Sequence, residues 1–502
     1  MVEARSFPPT EEQQQAIDLF GTGDPLAIQA GAGTGKTTTL AMCARNTPRV
    51  GTYLAFNRDI AQDAARAMPV TVDCRTVNSV AYRAIRDQHP QGRALLERLN
   101  ADRVAPWTMA RYLGLGHLVV TVPLPGGGSR QKVLQPTWQA GHIMRAAMIF
   151  AQSADPEPTA RHFPYVEGID TPGPNGRRTY HNNDLVAAEL EPYLHKAWAD
   201  LTAPTGRLRF SHDVYVKLWQ LAGYQIPGQF LLFDEAQDAS PVMMAALASQ
   251  ENAQVVYVGD SQQQIYEWRG AVDALDRLGD GINRTWLTQS WRFGPAIAEV
   301  ANEILDMLDT PLRLTGTPSI DSEVLITRTL GKPRAVLCRS NAAAVEAVFN
   351  YQERGMAPHL VGGADEIVRF AVAAAQLQAG ERTGHPELAC FETWREVTDY
   401  VENDPQGAEL RMLVKLLDSY GPEIVIEALS GLSAQEEADV VISTAHRSKG
   451  REWPTVRLAS DFEPQGNGEL AAPEWRLLYV AATRATTTLD LSTCLPLREL
   501  LG

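Results

Sequence analysis

No apolar run in the sequence approaches the length needed to cross a bilayer, which excludes a helical membrane protein. The opening MVEARSFPP lacks the apolar core of a signal peptide, so a cytoplasmic protein is expected. Cysteine is scarce: Cys43, Cys74, Cys338, Cys390 and Cys494 lie far apart, and no pair has metal-ligand spacing. Their odd number argues against a disulfide framework, leaving buried thiols as the expectation. Positive charge is also in short supply, 45 Lys and Arg against 60 Asp and Glu, for a net charge of −15. That balance excludes a uniformly basic surface and leaves room only for a local basic groove. At 44% apolar residues over 502 positions, the chain is globular and long enough for more than one domain.

What is present is AGAGTGKT, comprising Ala30, Gly31, Ala32, Gly33, Thr34, Gly35, Lys36 and Thr37. An apolar strand signal at 26–29 precedes it and a helix signal at 37–46 follows. In a phosphate loop the glycines let backbone N–H groups turn inward, and the helix start adds partial positive charge. Lys36 would reach the β- and γ-phosphates of ATP, and the Thr37 hydroxyl would hold Mg2+. Upstream, Gln13 in PTEEQQQAI has an amide able to read an adenine edge. Strand signals at 51–56 and 70–74 alternate with a helix at 58–68, the pattern of a parallel α/β sheet. The pattern changes over 89–204, where helices surround a predicted hairpin bracketing Gly126–Gly128; this reads as an insertion forming its own small, mostly helical domain. The α/β pattern resumes with a strand at 229–233 ending in DEAQD. There Asp234 would hold the metal through water and Glu235 would orient the attacking water. A further strand at 254–258 runs into GDSQQQIYEWRGA. Taken alone, its tryptophan is as readily core as a stacking platform. His195 and His212 read as structural.

GDSQQQIYEWRGA resembles the third motif of superfamily 1 helicases of the UvrD/Rep type. LTQSWRFGPAIAEVAN, AVLCRSNA, STAHRSKGREW and EWRLLYVAATRA resemble later motifs in the same order. Within that group, HDVYVKLWQL, LTQSWRFG and STAHRSKGREW are most similar to the F-box DNA helicase core. The short stretch ahead of Gln13 leaves no room for an F-box, so a bacterial or phage relative without ubiquitin-ligase function is expected.

The resemblance implies that Gln263 senses the γ-phosphate, that Arg292 and Arg484 reach it as arginine fingers, and that Glu452 lies in the motif closing the nucleotide cleft. Thr38 stands where an arginine often stacks on adenine, and Trp291 where a tyrosine is usual, so adenine is expected to be held from one side. On the DNA side it implies stacking by Trp268, with Tyr266 and Phe56 as further aromatic candidates. By the same resemblance Arg269 would tie the two sites together and His446 would couple them. Asn57, Arg58, Thr76, Thr444, Arg447 and Lys449 fall in motifs that touch the DNA backbone. The implied fold is α/β: two RecA-like parallel-sheet motor domains, each with a mostly helical insertion. The expected bounds are 1–88 with 205–284 for the first half and 285–364 with 438–502 for the second. The insertions fall at 89–204 and 365–437. The implied activity is an ATP- and Mg2+-dependent 3′-to-5′ single-stranded DNA translocase and helicase. It would act at single/double-strand junctions in repair or recombination, with repair proteins or a recombinase as partners. Two alternatives remain: a translocase that mainly strips proteins from single strands, and a nucleotide-switched DNA-binding module.

Overall fold

The computed structural model describes residues 8–55, 57–101, 104–123, 129–166, 169, 181–265, 273–279, 281–385, 387–388, 391, 393–403, 408–463 and 470–502. The chain divides into two compact units. The first takes Met1–Ile28, Thr37–Gly259 and Tyr266–Thr285; the second takes Gln29–Lys36, Asp260–Ile265 and Trp286–Gly502.

In chain order the first half begins α1 (Glu11–Gly21), β1 (Leu26–Ala30), α2 (Lys36–Arg45), β2 (Gly51–Ala55), α3 (Arg58–Ala67), β3 (Val72–Thr76) and α4 (Val77–Gln88). Then come α5 (Gly92–Glu97), α6 (Pro106–Leu113), the strands β4 (Leu118–Pro123) and β5 (Ser129–Leu134), α7 (Pro136–Gln152), α8 (His181–Leu201) and α9 (His212–Ala222). It closes with β6 (Phe230–Phe233), α10 (Pro241–Ala248), β7 (Gln254–Gly259), α11 (Ala274–Arg277) and β8 (Asn283–Leu287). Six strands form one sheet in the order β3-β2-β6-β7-β1-β8, and the described pairings β2–β3, β2–β6 and β6–β7 are parallel. Strands β2, β6 and β7 are buried along their whole length, as strands covered on both faces must be.

The strands on either side of Gly126–Gly128 form the antiparallel pair β4–β5, with Leu118 opposite Leu134; the three glycines lie outside the described residues. Described residues of 89–204 share apolar packing with the sheet. Ile143, Ala147, Leu190 and Leu194 belong to one apolar cluster with Leu54, Phe233 and Val255 of the sheet. Helices α7 and α9 carry that continuity. The sequence pattern shows where an apolar face lies, and only packing shows which neighbour covers it.

The second half comprises α12 (Pro295–Met307), β9 (Glu323–Leu325), β10 (Ala335–Cys338), α13 (Asn341–Glu353), β11 (Pro358–Leu360), α14 (Asp365–Gln378), α15 (Trp394–Asn403), α16 (Ala408–Tyr420) and α17 (Pro422–Ser430). It ends with β12 (Val440–Thr444), α18 (Ala445–Ser448), β13 (Trp453–Leu458), α19 (Ala472–Ala482), β14 (Ala485–Asp490) and α20 (Leu495–Leu501). Its sheet runs β11-β12-β10-β13-β14-β9, with every neighbouring pair parallel. The α/β class with two parallel sheets is therefore as the sequence implies. Among its described residues, the segment 365–437 holds four helices. Its Phe370, Val397, Leu417 and Val425 share a cluster with Val336, Val440 and Ile442 of the sheet.

Two short segments depart from the expected bounds. Gln29–Lys36 and Asp260–Ile265, placed by sequence in the first half, pack within the second compact unit. Glycine makes this close approach feasible: a Cβ on Gly31 would lie 2.1 Å from Leu314 Cδ2, and one on Gly33 2.6 Å from Ser290 Oγ. The Gly31 N–H donates to the Leu287 carbonyl at 3.0 Å, and the Trp291 N–H donates to the Gly33 carbonyl at 2.8 Å.

Among the described residues, no helix is long and apolar enough to cross a membrane. Cys43, Cys338 and Cys494 are buried, and burial pushes the Cys43 thiol up to about 12. Cys74 is only half-buried, against expectation, because β3 is an edge strand; Cys390 lies outside the described residues.

Candidate nucleotide and DNA sites

In the first unit, the Thr37 hydroxyl at the start of α2 donates to Asp234 Oδ2 at 3.2 Å. Asp234 follows β6 and is buried; its backbone N–H donates to the Leu54 carbonyl on β2. Its Oδ1 accepts from the Glu235 N–H at 2.9 Å. The Tyr53 hydroxyl, from the middle of β2, donates to Oδ2 at 2.5 Å. Burial, and then the Asp234 carboxylate beside it, hold that phenol far above its usual range. Glu235 sits in the left-handed backbone region with φ 56°, a conformation costing about 1–3 kcal/mol that clusters at functional sites. Gln237, fully buried, donates to Glu235 Oε2 at 2.5 Å.

The hydroxyl and carboxylate oxygens of Thr37 and Asp234 are the hard donors that a Mg2+ ion takes. No cluster of three or more His, Cys, Asp or Glu able to hold a metal occurs among the described residues. A hydroxyl and a carboxylate suit an ion that keeps waters and takes phosphate oxygens as its remaining ligands.

Gln13 is also in the first unit and is more committed than the sequence suggests. With Thr10 it forms a reciprocal capping box at the start of α1: Oε1 accepts from the Thr10 N–H while the Thr10 hydroxyl accepts from the Gln13 N–H. Its Nε2 donates to Thr39 Oγ1 at 3.3 Å. Thr38 is exposed.

The second unit gathers a different set. The Ala32 N–H, in the loop, donates to the Tyr479 hydroxyl at 3.2 Å, and that hydroxyl donates to Asp260 Oδ2 at 3.2 Å. Gln263 Nε2 donates to the same Asp260 oxygen at 2.7 Å. Arg484 Nη2 lies 3.5 Å from Gln263 Oε1 and donates to Thr483 Oγ1, while its Nε donates to the Val480 carbonyl at 2.8 Å. Arg484 is 1% exposed. Burial raises the Asp260 carboxyl above its ordinary value, opposed first by the Lys36 charge. Arg292 pairs with Glu452 at 2.8 Å and donates to the Thr483 carbonyl at 3.0 Å. Thr34 is buried with its hydroxyl on the Gly31 carbonyl, and Trp291 is 53% exposed.

Three DNA candidates are helix caps. Asn57 accepts from the Ile60 N–H at the start of α3, Thr76 from the Ser79 N–H at α4, and Thr444 from the Arg447 N–H at α18. Ala55 and Thr76 face each other at the ends of β2 and β3, so the first two caps share one edge of the sheet. Arg58 is exposed. Arg447 and Lys449 are less available than expected. Arg447 donates to the Val361 and Gly363 carbonyls and pairs with Glu366, and Lys449 Nζ donates to the Gln263 carbonyl at 2.8 Å. His446 is half-buried. Phe56, Tyr266, Trp268 and Arg269 lie outside the described residues.

Residues 13–269 match the family model described as an AAA domain, a span covering half of the chain. The chain belongs to the AAA domain family. Residues 439–491 match a second model, the UvrD-like helicase C-terminal domain, in agreement with the UvrD-type motifs. Among relatives, F-box DNA helicase protein 1 of Schizosaccharomyces pombe is 28% identical over 96% of this chain and 57% of its own length. F-box DNA helicase 1 of Gallus gallus is 29% identical over 96% of this chain and 49% of its own. ATP-dependent DNA helicase PcrA of Staphylococcus aureus is 24% identical over 59% of this chain and 39% of its own. The chain thus spans about half the length of the F-box relatives. A solved PRRSV helicase structure aligns over 95% of this chain and 54% of its own at 12% identity, with a TM-score of 0.33.

Within this AAA-family chain, sequence reading missed Tyr53, Asp260, Gln237 and Tyr479. A faint signal existed for two of them. Tyr53 is the aromatic in the strand GTYLA, and a buried phenol calls for an acceptor. Asp260 ends the strand after Gly259, where open sheets place functional carboxylates.

Proposed function

We propose that this chain is a DNA-dependent ATPase that moves 3′-to-5′ along single-stranded DNA and separates strands at junctions, acting in repair or recombination. The Thr37–Asp234 contact carries the reading, because it joins the phosphate-loop helix to the carboxylate that a Mg2+-nucleotide requires. Lys36 would bind the phosphates. Glu235 would accept a proton from the attacking water, its carboxylate steadied by Gln237. Gln263, Arg292 and Arg484 would answer the γ-phosphate. Arg292 would have to leave Glu452 to do so. Gln13, through its remaining N–H, and Trp291 would hold the base. Asn57, Arg58, Thr76, Thr444, His446, Arg447 and Lys449 would line the single strand, with Phe56, Tyr266, Trp268 and Arg269 completing that site. Residues 1–88 with 205–284, and 285–364 with 438–502, would serve as the two motor halves, with 89–204 and 365–437 as their insertions. The printed names of the F-box and PcrA relatives support DNA as the substrate and ATP as the fuel.

The deciding experiment measures ATP hydrolysis with and without single-stranded DNA. Strong stimulation is expected, and a rate indifferent to DNA would end the motor reading.

A second reading is a translocase that mainly clears proteins from single strands. Comparing fork unwinding with clearance of a recombinase filament from the same strand separates the two.

A further inference from the structure

Tyr53 belongs to none of the motifs that suggest function, yet its hydroxyl ends on the carboxylate at the centre of the site. Parallel pairing of β2 with β6 sets this up. Tyr53 lies opposite Leu232 and Leu54 opposite Phe233, and the Asp234 N–H closes the ladder on the Leu54 carbonyl at 3.1 Å. Asp234 therefore leaves the sheet beside β2, where the phenol reaches Oδ2 at 2.5 Å. The same oxygen accepts the Thr37 hydroxyl at 3.2 Å, and Oδ1 is fixed by the Glu235 N–H at 2.9 Å. Both carboxylate oxygens are thus oriented by donors, and the ring supplying one of them is fully buried. A carboxylate held this way loses little rotational freedom when it takes a cation.

We propose that Tyr53 is a positioning residue for divalent-cation binding, holding the Asp234 carboxylate toward Thr37 so that both are presented to the metal of a metal–nucleotide. The inference rests on the ATP-site reading above. It adds a residue that touches neither nucleotide nor metal and acts through Asp234. Outer partners of metal-holding carboxylates typically contribute about 10–100-fold to metal affinity.

The test is a Mg2+ titration of fluorescent-ADP binding by the full chain, with no turnover involved. In Tyr53→Phe, which keeps the ring and deletes the hydroxyl, the half-saturating Mg2+ concentration should rise about tenfold. ADP binding in EDTA should stay at the wild-type level. In an Asp234→Asn background, adding Tyr53→Phe should cause no further loss, because the phenol acts through that carboxylate. Leu54→Ala controls for general loosening of β2, since it thins the core and leaves the hydroxyl in place. An unchanged Mg2+ requirement in folded Tyr53→Phe would reduce Tyr53 to packing. So would an equal rise in Leu54→Ala. If wild-type ADP binding ignores Mg2+, or Asp234→Asn leaves the titration unmoved, the cation site itself falls, an outcome distinct from failure of Tyr53 alone.

Discussion

Arg484 shows how burial changes the meaning of a substitution. From its motif alone it is a finger waiting for phosphate. In the fold its guanidinium is already spread over Val480, Thr483 and Gln263. Its value to hydrolysis should lie in the transition state, where arginine fingers are worth about 10³–10⁵ in rate. Arg484→Lys should lower DNA-stimulated kcat by at least about a hundredfold, since a point charge cannot reproduce the planar fork. Fluorescent-ADP binding should change little. Arg484→Ala should lose the same rate and also melt lower, because it leaves buried acceptors unpaired. Near-normal turnover in a folded Arg484→Lys protein would remove it from the catalytic set.

His142 makes the other residue-scale prediction, one about stability. It is 1% exposed and stacked on Trp138 at 4.7 Å, and burial with nearby Arg145 lowers it to about 4 from 6.5. The folded state therefore resists the proton that the unfolded chain accepts. The stabilisation from neutral His142 is whole above pH 6.5 and is lost as pH falls from 6.5 toward 4. By linkage the loss between pH 7.5 and 5 is about 2 kcal/mol. Denaturant melts at the two pH values should show a smaller difference for His142→Phe than for wild type by that amount. Equal differences would mean that His142 is protonated in the folded state.

At the scale of elements, the edge of the first sheet joins two tasks in the same side chains. Thr76 caps α4 while standing among the DNA candidates, and Asn57 does the same for α3. A cap lost to alanine costs about 0.5–2 kcal/mol. Thr76→Ala should therefore lower stability by that amount and weaken single-stranded DNA binding as well. Thr76→Ser, which keeps the hydroxyl, should restore both. Fluorescence anisotropy at fixed salt beside a thermal melt reads the two effects. If stability falls and affinity does not, Thr76 is a cap and nothing more.

For the whole molecule, the charge balance sets the expectation. A chain of net charge −15 would have to bind nucleic-acid phosphates through a local groove. Affinity for single-stranded DNA should fall steeply with salt as counterions are released. Arg58→Ala should flatten the log–log slope by about one unit, and Arg58 is the clean probe because it is exposed. Lys449→Ala is a poorer one, since its ammonium already serves the Gln263 carbonyl. A slope unchanged by Arg58→Ala would take that side chain out of the groove.

The sequence by itself determined the alternation of strands and helices, the phosphate loop, DEAQD at a strand end and the hairpin around Gly126–Gly128. Each rests on short-range signals: residue spacing, turn glycines and apolar runs. It also carried the family, because motif order survives without coordinates. Only the tertiary structure decided what each polar group touches. Tyr53 and Asp234 are separated by 181 positions, Ala32 and Tyr479 by 447. Such pairs are set by strand order and by which helix covers which sheet, and neither is encoded in local periodicity. For the same reason local pattern does not show that Ile143 and Leu190 share an apolar cluster with Leu54 and Phe233 of the sheet.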